Sequence, residues 1–77
     1  MASSSWETIP THTAVVEVLK RRGAIADKAL YKEIRRLYKD LSWREFIRTL
    51  MKLEIQGLIH VYATGRNRTM IELIRRD

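Results

Sequence analysis

The chain has 77 residues and no cysteine, which predicts one small domain without disulfides or thiolate metal sites. Its hydrophobic content of 45% is enough for a folded core. No apolar run approaches the roughly 18 residues needed to cross a bilayer. The first ten residues, MASSSWETIP, lack the basic and apolar regions of a signal peptide. We therefore expect a cytoplasmic protein with no membrane partner.

The net charge of +6 favours a polyanionic partner, nucleic acid before anionic membrane. Residues 1–41 carry eight basic and five acidic side chains, and residues 42–77 carry seven and four, so each part has a net charge of +3. The basic character therefore belongs to the folded part and not to an added tail. Abundant charge with one Asn, one Gln and no Cys is also common in proteins from hot environments.

The start of the chain divides into an arm and a first helix. Residues 1–10 are interpreted as a flexible arm, and residues 11–77 as the domain. Valines and a leucine followed by three basic residues predict a first helix over about 12–22, ended by Gly23. Its cap is expected to be a threonine hydroxyl, from either Thr11 or Thr13.

The next segment predicts a second helix over about 28–39, with Asp27 as its N-cap. Ile25 lies just before it, in either a short strand or a linker. The helix is indicated by apolar residues that recur at steps of three and four and so share one face: Leu30, Ile34, Leu37, Tyr38 and Leu41.

A third helix is predicted over 43–56. Ser42 and Glu45 have the spacing of a capping box, and Gly57 ends the helix. Only about three residues are expected between the second and third helices. The apolar side, which should face the core, comprises Trp43, Phe46, Ile47, Leu50, Leu53 and, at its edge, Met51.

The opposite side of the third helix carries Arg44, Arg48 and Lys52 at i, i+4 and i+8. These three cations form a stripe, which we name the basic stripe. Most charged stripes are solvated faces without a ligand. Here only Glu45 interrupts the stripe, and the cap already uses it, so a ligand-facing role is the stronger interpretation.

After the third helix the apolar period changes from near 3.6 to 2, which predicts a β-hairpin. Its tip is Gly65-Arg66-Asn67-Arg68, and its second strand runs from Thr69 to about Ile74. An isolated hairpin is marginal in water, so it should pack on the helices, with Ile25 as a possible third strand.

The sequence LMKLEIQGLIHV, followed by this basic hairpin, resembles the end of the recognition helix in winged helix-turn-helix proteins. The resemblance covers about residues 12–75. It implies an α+β, mainly helical fold with three helices followed by a C-terminal β-hairpin wing. It also implies that the third helix enters the major groove of DNA, with groove-facing positions at Arg44, Arg48, Thr49 and Lys52 and a wing tip at Arg66, Asn67 and Arg68.

The function that follows is binding of double-stranded DNA, as a small transcriptional regulator or chromatin-associated protein, on the nucleoid if the source is prokaryotic. Arg35 and Arg36 are expected to add phosphate contacts. The alternatives are a protein-interaction module within a larger assembly and an RNA-binding protein. A homodimer through the first helix or the arm is also possible.

Neither an enzyme nor a cofactor is expected. His12 and His60 are far apart in the sequence and show no metal-ligand spacing. The three glycines are isolated, so no phosphate-binding loop is present.

Overall fold

The computed structural model describes residues 10–74, which form three helices and a three-stranded antiparallel sheet. The predicted α+β order of three helices followed by a hairpin is confirmed. In chain order the elements are α1 (Thr11–Arg22), β1 (Ile25–Ala26), α2 (Asp27–Arg35), α3 (Trp43–Ile55), β2 (Ile59–Ala63) and β3 (Thr69–Leu73). The predicted arm lies, apart from Pro10, outside the described residues.

The sheet has the strand order β1-β3-β2, so the short first strand lies beside the hairpin. Ile25 pairs with Ile71, which pairs in turn with Val61, and these three side chains face the helices. Of the two alternatives left open for Ile25, the short strand is therefore the one observed. Successive strand residues point to opposite faces, so the outer face carries His60 and Tyr62.

One hydrophobic core joins all six elements. Its largest fully buried side chain is Phe46, and fully buried leucines and isoleucines come from every helix and from β2 and β3. The core comprises Ala14, Val15, Val18, Leu19, Ile25, Leu30, Ile34, Phe46, Leu50, Leu53, Ile59 and Ile71. A chain of this size has little further apolar surface to bury, so its stability depends on these few residues.

Helix α1 begins without a side-chain cap, so the predicted threonine cap is wrong. Pro10 is the N-cap, and its carbonyl accepts from the amides of Thr13 and Ala14 at 3.0 and 3.2 Å. The proline ring fixes an extended entry to the helix, which places Thr11 already inside the first turn. The predicted end is confirmed, because Gly23 has a φ of 74°.

Helix α2 is shorter than predicted, ending at Arg35 instead of about residue 39. Its N-cap is Ala26, and Asp27, predicted as the cap, is its first residue. The carbonyl of Ile34 accepts from the amides of both Leu37 and Tyr38, so the chain forms a tight turn just after the helix. The connection to α3 therefore spans residues 36–42, not the three residues predicted.

Tyr31 ties this connection to α3. Its hydroxyl donates to the carbonyl of Leu41 at 2.9 Å. Its ring meets the rings of Trp43 and Phe46 with centroids 5.0 and 5.1 Å apart. The start of α3 is thereby fixed against α2. Tyr31 and Tyr38 both lie half-buried against the core, as the shared apolar face predicted for Tyr38.

The start of α3 is the predicted capping box. The amide of Glu45 donates to the Ser42 hydroxyl at 3.1 Å, and the Ser42 amide donates to the Glu45 carboxylate at 3.2 Å. At the other end, Gly57 adopts a φ of 77° and the amide of Leu58 donates to the Leu53 carbonyl at 3.0 Å. Both ends of α3 are therefore satisfied by local hydrogen bonds.

Candidate nucleic-acid interface

The basic stripe is exposed along the outward side of α3, as predicted. Arg44 and Arg48 lie nearly opposite the buried side chains of α3, at about 100° of rotation per residue. Within residues 10–74, no carboxylate forms an ion pair with any of the three cations. Their charge is therefore available to a ligand.

Thr49 lies on one flank of the basic stripe and is half-buried. Its hydroxyl donates to the carbonyl of Glu45 at 3.0 Å, so its proton is used within the helix. The oxygen can still accept a hydrogen bond. Thr49 lines an open groove of about 660 Å³ between α3 and the 36–42 connection, together with Arg48, Lys52 and Tyr38.

The hairpin tip presents Arg66, Asn67 and Arg68 to solvent. Gly65 and Asn67 both have positive φ, 66° and 53°, and together they shape the turn. The amide of Thr64 donates to the carbonyl of Arg68 at 2.9 Å and closes the loop. Neither arginine of the tip forms an ion pair with a described residue.

Arg35 and Arg36 have different surroundings, although they are adjacent in sequence. The Arg35 guanidinium lies 5.7 Å from the centre of the Tyr31 ring and donates to the Lys39 carbonyl at 3.1 Å. This places Arg35 next to the aromatic residues at the start of α3. Arg36 instead lines a second basic groove, of about 530 Å³, with Arg22, Lys28, Lys32 and Glu33.

The second basic groove was not predicted as a unit. Glu33 is its single acid, and its Oε2 lies 3.5 Å from Nη1 of Arg22. The other carboxylate oxygen of Glu33 is buried without a hydrogen-bond partner in the part of the chain that is described. The groove depends on how the end of α1 meets α2, which periodicity within one helix does not reveal.

An apolar stripe runs beside the basic stripe, and here the sequence interpretation was wrong. Trp43 and Met51 were predicted to face the core, but they are 40% and 55% exposed. Ile55 is 82% exposed. With half-buried Ile47, these residues are spaced i, i+4, i+8 and i+12, and we name them the apolar stripe.

The reason is helical geometry. Four residues advance the side chain by about 40° beyond one full turn. A stripe at four-residue steps therefore winds away from the core, while Phe46, Leu50 and Leu53 at steps of four and three stay on it. The apolar and basic stripes together line a shallow groove of about 650 Å³. The spacing was visible in the sequence and could have shown this second apolar line.

The outer face of the sheet carries an aromatic pair. The rings of His60 and Tyr62 stack there, with centroids 5.1 Å apart and planes 21° from parallel. Over residues 10–74 there is no group of three or more His, Asp or Glu side chains that could hold a metal ion. No helix in the same range has the length and apolar character required to span a membrane.

Comparisons with known proteins identify the fold. No family model matches the sequence, and no curated protein sequence matches it. Among solved structures, the chain is similar to the peroxide stress regulator of Campylobacter jejuni, with a TM-score of 0.80 and 22% sequence identity. The match covers 99% of this chain and 56% of that chain. At this identity the likeness shows the fold, which is winged-helix-like, as the sequence predicted.

Proposed function

We propose that this chain binds double-stranded DNA as a regulator, with α3 in the major groove and the hairpin tip on phosphates. The observation that carries the proposal is the exposed basic stripe, whose three cations have no acidic partner among the described residues. The similar solved structure is a regulator, which agrees with this function. In a prokaryote, such a chain would act on the nucleoid.

The shape of α3 suits the major groove. The groove is about 12 Å wide and admits one helix. With its 13 residues, α3 is about 20 Å long, and the capping box and Tyr31 hold its first turn in place. An already rigid helix loses little conformational entropy on binding. The side of α3 that faces away from the core is then the side that reaches base edges.

The residues divide into two roles by chemistry and position. Arg44, Arg48 and Thr49 would lie near base edges, because the arginine fork matches guanine O6 and N7 and a hydroxyl can pair with several bases. The cations at the periphery would contact phosphates, which position the protein without reading sequence. These are Lys52, Arg66, Arg68 and Arg35. Arg36 would contact a phosphate further from α3, because it lies in the second basic groove. Asn67 supports the shape of the tip.

The proposal is tested by duplex binding at several salt concentrations. Log affinity should fall linearly with log salt, by about 0.9 for each neutralised phosphate. The double variant Arg66→Ala/Arg68→Ala should make that fall less steep, by up to about 1.8, while the protein remains folded. The matched control is Lys20→Ala/Arg21→Ala, which removes two cations from the end of α1 away from α3.

Two results would count against parts of the proposal. A slope that does not change in the hairpin variant would remove the tip from the interface. Duplex RNA has a major groove too narrow for a helix, so an RNA duplex of the same sequence should compete poorly. Equal competition by RNA and DNA duplexes would contradict insertion of α3 into a major groove.

A further inference from the structure

Folding explains the apolar stripe only in part, since Ile47 packs against the core. Trp43 is partly held by ring contacts to Tyr31 and Phe46, the latter with centroids 5.4 Å apart. Met51 and Ile55, however, are more than half exposed. Large apolar side chains in a continuous row on a functional surface indicate an interaction. The question is which partner combines apolar groups with negative charge, since the same groove contains the basic stripe.

The charges argue against a second copy of this chain. In a two-fold symmetric contact the same surface meets itself. Contact through this groove would bring Arg44, Arg48 and Lys52 of one copy close to the same three cations of the other. Like charges placed together at an interface are unfavourable. The groove is lined by no acidic side chain that could offset them.

The order of the stripes argues against a protein segment. Protein interfaces have an apolar centre and a polar rim. On α3 the apolar residues do not form such a centre, because Arg44 and Arg48 occupy the middle of the outward side. Ile47 and Met51 lie on one flank, and Ile55 reaches the middle only in the last turn. A helix seated in a DNA groove would have its middle towards the base edges and its flank towards one wall.

We propose that Ile47, Met51 and Ile55 contact the 5-methyl groups of thymines along one side of the major groove. The preferred substrate is therefore A·T-rich duplex DNA with thymines at about every second position of one strand. This inference rests on the proposed DNA-binding function and names the sequence class that the same surface recognises. The methyl group is the apolar group that a base pair displays in the major groove, and aliphatic side chains are suited to it.

The spacing is compatible with this contact. Residues four apart rise about 6 Å along a helix axis, and successive base pairs are about 3.4 Å apart. Successive members of the apolar stripe would therefore face about every second base pair. The peripheral cations supply the attraction to the phosphates, and the methyl contacts add discrimination between sequences.

The experiment compares hairpin duplexes that differ by a methyl group alone. The two members of the first pair are an alternating dA-dT stem and the same stem with deoxyuridine in place of thymidine. The other has an alternating dG-dC stem with or without 5-methylation of cytosine. Affinities are measured by fluorescence anisotropy at one fixed salt concentration. Each contacted methyl should improve binding about fourfold, so affinity falls in the first exchange and rises when methyls are added in the second.

Variants assign the effect to the apolar stripe. Met51→Ala/Ile55→Ala should reduce the thymine-to-uracil preference to the roughly fourfold that Ile47 alone would give, while binding of the uracil stem is kept. The control is Ile74→Ala, which shortens a side chain that is 41% exposed at the end of β3 and should keep the preference. Both variants alter exposed side chains, and circular dichroism verifies that they are folded.

The outcomes separate the two proposals. Tight binding with equal affinity for thymine and uracil stems overturns the methyl contact and leaves DNA binding intact. A preference that is undiminished in Met51→Ala/Ile55→Ala also overturns it. If an acidic amphipathic peptide binds and competes at these residues while the methyl exchange has no effect, the stripe serves a protein partner instead. Absence of binding to every duplex overturns the proposed function, and the inference with it.

Discussion

On the inward side of α3, Phe46, Leu50 and Leu53 are at most 4% exposed, whereas on its outward side Met51 and Ile55 are 55% and 82% exposed. The inward residues contact the core that all elements share. The outward residues lie between cations that have no acidic partner within residues 10–74. One helix thus has a side that maintains the fold and a side that the fold does not require, and the second is the place to look for function.

The largest expected difference between the two sides is in stability. Phe46→Ala should lower the free energy of unfolding by about 3–5 kcal/mol, because it leaves a cavity in a small core. Met51→Ala should change it by no more than about 0.5 kcal/mol. Urea unfolding followed by circular dichroism measures both. Similar losses in the two variants would show that the outward side is also structural.

The reverse difference is expected in DNA binding. Arg48→Ala should weaken binding to a preferred duplex by about 1–3 kcal/mol, the discrimination that one bidentate base contact gives. Its stability should be unchanged within about 0.5 kcal/mol. Lys28→Ala, in the second basic groove, is the matched control. A uniform loss on all sequences would make Arg48 a phosphate contact instead of a base contact.

The capping box positions the residues on both sides of α3, because it fixes the residue at which the helix begins. Ser42→Ala should cost about 1 kcal/mol of unfolding free energy through loss of the bond from the Glu45 amide. Ser42→Asn should recover most of that loss, since its side-chain oxygen can accept the same bond. Thermal unfolding of both variants tests this. An alanine variant as stable as the parent would mean that Tyr31 and the core alone fix the start of the helix.

The smallest expected effect concerns Tyr38, which lines the groove on the Thr49 flank. Burial raises the pKa of Tyr38, because it disfavours the phenolate. The folded chain then holds this proton to a higher pH than the unfolded chain. The resulting stabilisation is complete below the ordinary pKa of about 10 and is lost as the pH rises through the folded pKa.

This effect can be isolated by substitution. Tyr38→Phe should reduce the fall in unfolding free energy between pH 9 and 11, a range chosen around the ordinary pKa of about 10. Tyr62→Phe, on the outer face of the sheet, is the control. An identical pH profile in Tyr38→Phe and the parent chain would show that this phenol does not contribute.

Much of the fold follows from local signals in the sequence. The capping box at Ser42 and Glu45, and the stops at Gly23 and Gly57, act within a few residues, and the structure confirms all of them. The early end of α2 could not be predicted in this way. It is accompanied by the hydrogen bond from the Tyr31 hydroxyl to the Leu41 carbonyl, a contact between residues ten apart.

The candidate site was predictable in part. The basic stripe and the positions of Arg66 and Arg68 follow from spacing alone, and the exposure of both is confirmed. The exposure of Trp43 and Met51 was missed because both are apolar and lie near the core-facing side of the helix, and so both were assigned to the core. The four-residue spacing indicates that the apolar stripe winds away from the core, and the packing of α3 on α1 and the sheet determines how narrow its core-facing side is.

The central claim is that the outward side of α3 meets DNA, and a nuclear magnetic resonance titration of the chain with a duplex at moderate salt tests it most directly. Backbone amide shifts are expected to change along the outward residues of α3 and at residues 65–68. Amides around Lys28 and Lys32 in the second basic groove should change little. Shifts concentrated in that groove, with α3 unaffected at a saturating duplex concentration, would contradict it.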